Sequence, residues 1–124
     1  MKLLLDTHTL LWWLADRPLA TEARERIADP ETLVAVSAVS IWEASIKAAL
    51  GKLRVPGSLS EAAAQSGFEP LPISLLHAET AGALPPHHRD PFDRMLIAQA
   101  QVEDLTIVTR GPAFNDYDVS VLPC

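Results

Sequence analysis

Three acidic side chains, Asp6, Glu43 and Asp93, stand at or near the starts of expected helices, each beside an apolar, strand-like run. In an open parallel sheet such junctions gather at one edge, where ligand crevices form. Three carboxylates brought together without a matching trio of lysines repel one another. They are also the hard oxygen ligands that Mg²⁺ or Mn²⁺ takes in near-octahedral geometry. Helix N-termini collected at the same edge favour anions. The chemistry of such a centre is phosphodiester hydrolysis: water is activated, the phosphoryl oxygens are neutralised and the leaving oxygen is stabilised, by two ions about 3.5 to 4 Å apart where both are held.

Each acid also has a plainer reading. Asp6 fits an N-cap, ordinary chemistry worth about 0.5 to 2 kcal/mol. Ser40 to Glu43 matches a capping box, and Lys47 stands four residues on, where a surface Glu–Lys pair forms. Asp90-Pro91-Phe92-Asp93 reads as a helix start, with Asp90 as the cap and Pro91 at the first helical position. Asp93 is harder to dismiss. Met95, Leu96, Ile97, Ala98 and Ala100 make the following helix apolar around most of its circumference, so its first turn is not wholly solvated. The joint arrangement carries the functional reading.

Other chemistries fit less well. An aspartyl-phosphate phosphatase wants a second Asp two residues after Asp6, and that position is His8. Neither a Gly-rich phosphate loop nor a Gly-x-Ser-x-Gly elbow is present. His8, His77, His87 and His88 lack zinc-ligand spacing, and a single cysteine supports no thiolate site.

The elements that must position these acids follow from apolar periodicity. Leu3–Leu5 is a short strand, with a helix from Thr9 to Leu14 that stops at Arg17-Pro18. Thr21–Ala28 is a short helix and Leu33–Ser37 a strand. From Ser40, residues Trp42, Ile46, Ala49, Leu50 and Leu53 form an amphipathic stripe with Gly51 near its end, and Pro56-Gly57 breaks the chain. Ser60–Ser66 is an Ala-rich helix, Pro70–Ile73 an edge strand at best, and Leu75–Leu84 a helix halted by Pro85-Pro86. Pro91–Asp104 is the clearest helix, followed by a buried strand, Leu105–Thr109, and a last strand, Val119–Leu122. Strands alternating with helices over one short chain predict an α/β layer architecture with a parallel sheet.

A chain of 124 residues, 48% hydrophobic, is one domain able to bury its own core. One cysteine, Cys124, and an apolar run from Leu10 to Ala15 too short for a span predict a cytoplasmic protein with no membrane association. A net charge of −6 runs against nucleic-acid binding, unless carboxylates sit on divalent cations that reverse the charge a phosphate meets.

Over essentially its whole length the sequence resembles PIN-domain proteins, specifically the VapC-type toxins of bacterial type II toxin–antitoxin pairs. The resemblance lies in Leu3-Leu-Leu-Asp6-Thr-His, in Val36-Ser37-Ala-Val-Ser-Ile-Trp-Glu43, and most specifically in His88-Arg-Asp-Pro-Phe-Asp-Arg-Met-Leu-Ile-Ala-Gln-Ala100. It implies a three-layer fold with a mainly parallel central sheet flanked by helices. It also implies an endoribonuclease dependent on one or two Mg²⁺ or Mn²⁺ ions, with Asp6, Glu43 and Asp93 as catalytic metal ligands and Thr7, Ser37 and Thr109 as polar supports. A VapB-type antitoxin, a homodimer and a toxin–antitoxin hetero-oligomer come with it. One departure stands out. The pattern places a fourth acid after the strand ending in Thr109, and here that position is Gly111. Asp90, Asn115 or Asp116 are the candidate replacements. Arg89, Arg94 and Arg110 flank the motifs as candidate RNA contacts, with Lys47, Lys52 and Arg54 similar, while the tryptophans Trp12, Trp13 and Trp42 fit core or subunit packing better than base stacking. Two other functions fit the same residues: a catalytically impaired PIN-like RNA- or partner-binding protein, and a nuclease acting on DNA.

Overall fold

The computed structural model describes residues 1–55 and 57–124. Five strands, β1 (Lys2–Leu5), β2 (Leu33–Ser37), β3 (Glu69–Leu71), β4 (Thr106–Thr109) and β5 (Val121–Pro123), form one sheet in the order β3-β2-β1-β4-β5, with every neighbouring pair parallel. The helices are α1 (Thr7–Leu14), α2 (Thr21–Ala28), α3 (Ala38–Ala49), α4 (Leu59–Gln65), α5 (Leu75–Ala83) and α6 (Pro91–Glu103). The parallel α/β prediction holds, and its reason is visible in the central strand. Leu3, Leu4 and Leu5 are all fully buried, as a strand covered on both faces requires.

Alternation along β1 sends its side chains into two separate cores. Leu3 and Leu5 join Val34, Val36, Val108, Leu10, Ile27 and Phe68 on the side of α1, α2 and α4. Leu4 joins Ala35, Ile107, Leu96, Ile97 and Phe114 on the side of α6. Helix α5 packs on α6 and buries His77 there, with Ser74 and His77 forming a reciprocal cap at its start.

The boundaries of α2 and β2 coincide with those expected, and β3 is the edge strand that its prolines predict. Helix α3 begins earlier than expected. Ser37, not Ser40, is its N-cap, accepting from the Val39 amide at 3.0 Å. Ser40 lies inside the helix, and Glu43 stands beyond the first turn. The capping-box reading of Ser40–Glu43 is therefore corrected: the strand residue that ends β2 also starts the helix. Gly51, at φ +72°, follows α3 in the left-handed conformation that glycine tolerates. Of the expected Pro56-Gly57 break, Pro56 lies outside the described residues. A short 3₁₀ turn, Pro112–Asp116, was not anticipated, and it seats Phe114 in the second core. Among the described residues no helix is long and apolar enough to cross a membrane.

Because Leu4 packs between β2 and β4 with no accessible surface, Leu4→Ala is expected to destabilise the fold by about 2–5 kcal/mol, read as a lower urea midpoint with an unchanged m-value.

Candidate active site

Parallel strands send all their carboxyl ends to one edge, and the chain places its acids there. Asp6 leaves β1 and caps α1; Glu43 projects from α3, which leaves β2. Helix α6 precedes β4, so it runs back along the sheet and its N-terminus, with Asp93 in the first turn, returns to that same edge. Three connections of different length thus deliver three carboxylates to one side of the sheet.

Each carboxylate is held by donors from neighbouring elements. Asp6, 8% exposed, accepts from the Thr9 amide at 2.8 Å and from the Thr109 hydroxyl at 2.5 Å. The same Thr109 oxygen accepts from the Gly111 amide at 2.9 Å, so a backbone N–H polarises the hydroxyl that faces Asp6. The capping reading of Asp6 is correct and incomplete, since one oxygen caps the helix while the other is fixed by β4. Glu43, 3% exposed, accepts from the Thr7 hydroxyl and from the Lys47 ammonium, each at 2.6 Å. The Glu43–Lys47 pair forms as its spacing predicts, but its carboxylate lies in the interior rather than on the surface. Its hydrogen bond to Glu43 holds the Lys47 ammonium above its ordinary pKa against the opposing effect of burial.

Asp93 is half-buried, and Oδ2 lies 2.7 Å from Nε2 of His88. Burial pushes its carboxyl above the ordinary value; the His88 hydrogen bond opposes this, while the charges of Asp90 and Glu43 add to it. Asp90 is the N-cap of α6, accepting from the amides of Phe92 and Asp93. His88, Asp90 and Asp93 each offer a ligand atom, all within 4.8 Å of one another. Asp6 and Glu43 stand outside that group. His88 is the site residue that residue types alone did not reveal. Its signal was its place at the head of the most specific motif, beside two acids.

The remaining expected residues divide clearly. Thr7 and Thr109 bond the acids directly, whereas Ser37 caps α3. Asn115 and Asp116 are exposed on the 3₁₀ turn. At Gly111, an added Cβ would meet the Phe114 ring at 3.2 Å and the Thr109 hydroxyl at 3.3 Å, so a larger residue there requires these neighbours to give by a few tenths of an ångström. Arg89 is exposed. Arg110 lies over the Trp12 ring at 4.1 Å and donates to the Pro18 carbonyl. Arg94 spends its guanidinium on backbone carbonyls of residues 81–88 and so braces the chain ahead of α6. Trp12 and Trp13 pack against the first core, while Trp42 is 59% exposed and meets Phe92 edge-on at 5.3 Å.

A family model described as PIN domain matches residues 3–120. The chain belongs to the PIN-domain family. No curated protein matches it significantly. Among solved structures, this PIN domain is similar to VapBC2 from Rickettsia felis bound to a DNA fragment from its promoter, with a TM-score of 0.76 and 15% identity over 100% of this chain and 99% of that one. A toxin–antitoxin complex from Klebsiella pneumoniae gives 0.68 and 25% identity, covering 96% and 94% of the two chains. DNA-bound VapBC from Salmonella typhimurium gives 0.65 and 18% identity, covering 99% and 98%.

The Thr109 hydroxyl is the link between β4 and the Asp6 carboxylate. Thr109→Val is expected to lower stability by about 1–3 kcal/mol in chemical denaturation, because it leaves the buried Oδ2 of Asp6 without its donor; Thr109→Ser, which restores the hydroxyl, should lose clearly less.

Proposed function

We propose that this PIN domain is the toxin endoribonuclease of a toxin–antitoxin pair, hydrolysing RNA phosphodiesters in the cytoplasm until a VapB-type antitoxin neutralises it. The observation that carries this reading is the pair of buried carboxylates, Asp6 and Glu43, at the carboxyl edge of the parallel sheet, with Asp93 brought back to that edge by α6. Family membership and the toxin–antitoxin complexes among its structural neighbours support it.

The donor set fits a hard divalent cation. All three acids offer oxygen, Asp6 has no cationic partner among the described residues, and the charges of Asp90 and Glu43 disfavour ionisation of Asp93. Asp6, Glu43 and Asp93 would hold one or two Mg²⁺ or Mn²⁺ ions, which supply water activation and neutralisation of the developing phosphoryl charge. The chain's own contribution is orientation. Thr109 and the Thr9 amide fix the two oxygens of Asp6, Thr7 fixes one oxygen of Glu43, and Lys47 adds a positive charge beside the other. These bonds hold the carboxylates in one arrangement before substrate arrives. Arg89 and Arg110, exposed beside the site motifs, would meet the phosphates of the strand.

A second reading, an impaired PIN-like binding protein, is favoured by one observation: Phe114 occupies the space beside Gly111, where the family pattern has an acid. The two readings diverge under a cleavage assay. Incubated with a small-RNA pool, purified antitoxin-free protein should yield discrete products with 5′-phosphate ends in Mg²⁺ or Mn²⁺, none in EDTA and none from Asp6→Asn. Equal inertness of wild type and variant would sink the nuclease reading, and preferential cutting of a matched DNA would replace RNA as substrate.

A thermal measurement probes the acids without turnover. Mn²⁺ should raise the melting temperature of the wild type, by an amount that grows with concentration, and that of Asp93→Asn much less. Equal shifts would mean that Asp93 does not take part in binding.

A further inference from the structure

We infer that Arg94 and Tyr117 are positioning residues for the acid centre, acting through His88 to fix the carboxylate of Asp93; this rests on the nuclease reading above. Asp93 sits in the first turn of α6, but the group that bonds it comes from the preceding irregular segment, residues 84–90, whose place no regular hydrogen-bond ladder secures. That segment carries Pro85 and Pro86, which have no amide hydrogen to give. Two side chains secure it instead.

Arg94 supplies the fork. One terminal nitrogen donates to the Ala81 carbonyl at 2.9 Å and the Leu84 carbonyl at 3.0 Å; the other donates to Pro85 at 3.0 Å and to His88 at 3.2 Å. A planar guanidinium can meet several carbonyls of a turning chain at once, and an ammonium cannot reproduce that geometry. Tyr117, buried beside the second core, closes the other side. Its hydroxyl donates to the Pro85 carbonyl at 2.8 Å and accepts from the His88 amide at 2.9 Å. The His88 backbone is therefore held at both its amide and its carbonyl.

The imidazole then faces Asp93 with Nε2 at 2.7 Å from Oδ2. An ionised carboxylate only accepts, so with Asp93 ionised it is Nε2 that donates in this contact. Asp90 adds a second constraint by capping the amides of Phe92 and Asp93. Arg94 is one residue beyond Asp93, so the residue that braces the segment is carried on the helix whose acid the segment orients. This use of Arg94 differs from contact with RNA, and it makes a different prediction about what its loss would change.

The test uses the whole chain, as wild type, Arg94→Lys, Tyr117→Phe, His88→Gln, His88→Ala and the double variant Arg94→Lys with His88→Ala. Folding is checked by circular dichroism, Mn²⁺ affinity of the folded proteins by calorimetry, binding of a single-stranded RNA by anisotropy in EDTA, and kcat and KM on the same RNA. Partners that orient a metal ligand typically change metal affinity or activity by 10- to 100-fold. Arg94→Lys and His88→Ala should therefore weaken Mn²⁺ binding by roughly 10- to 100-fold and lower kcat, with KM and RNA affinity in EDTA unchanged. Tyr117→Phe should move the same way. His88→Gln, which keeps an N–H donor, should recover part of the loss, and the double variant should be no worse than His88→Ala alone.

Unchanged Mn²⁺ affinity in folded Arg94→Lys, Tyr117→Phe and His88→Ala would overturn the proposal. So would weaker RNA binding in EDTA with Mn²⁺ affinity intact, which would make Arg94 a substrate contact. Should Arg94→Lys fail to fold, Tyr117→Phe and the two His88 variants decide. A wild type that neither binds Mn²⁺ nor cuts RNA would remove the nuclease reading and this proposal with it, whereas active wild type with indifferent variants would remove this proposal alone.

Discussion

Asp6 and Glu43 lose nearly all contact with water while belonging to residue types that are ionised in it, and the edge of the sheet is arranged around that constraint. A buried carboxylate needs donors. Asp6 finds them in the first turn of α1 and at the end of β4; Glu43 finds them on α1 and one turn along its own helix. Because the donors for each acid come from different elements, the bonds tie β1, α1, α3 and β4 together at the edge where their chains cross. Parallel pairing supplies the rest. It places the carboxyl ends of β1, β2 and β4 side by side and returns the N-terminus of α6 to them.

Asp93 is held differently. It is less buried than the other two, and its contact is an imidazole from an irregular segment rather than a hydroxyl from a strand or helix. That segment stays in place through Arg94 and Tyr117, which meet backbone atoms between residues 81 and 88. Two acids are thus fixed by the sheet and its adjoining helices, and the third by a brace outside the sheet. Gly111 belongs to the same economy of space: Phe114 fills the room beside it and anchors the 3₁₀ turn in the second core.

Much of the fold was legible in the sequence, for physical reasons that differ by element. Leu3–Leu5, Leu33–Ser37 and the run ending at Thr109 are apolar stretches too short for helices and bounded by turn formers, so they read as strands. The end of α2 at Asp29-Pro30 and the start of α6 at Asp90-Pro91 were marked by proline, whose fixed φ and missing amide punctuate a chain wherever it lies. The start of α3 was misplaced because two serines, Ser37 and Ser40, offer the same capping chemistry. Which one caps depends on where β2 stops pairing with β1 and β3, a tertiary fact.

For the candidate site, the residue types and their order along the chain put acids at strand–helix junctions, and parallel pairing brings those junctions to one sheet edge. Sequence could not assign the partners. Thr109 lies 103 residues from Asp6, Thr7 lies 36 from Glu43, and no local spacing rule connects residues so far apart. Nor could it separate a guanidinium that meets solvent from one that meets carbonyls, because Arg94 and Arg89 carry the same charge and their uses diverge only once the segment ahead of α6 has folded over one of them. Local chemistry determined which groups were available; the packing of α5, α6 and the 3₁₀ turn decided which of them touch, because contact between distant residues exists only after the chain has closed.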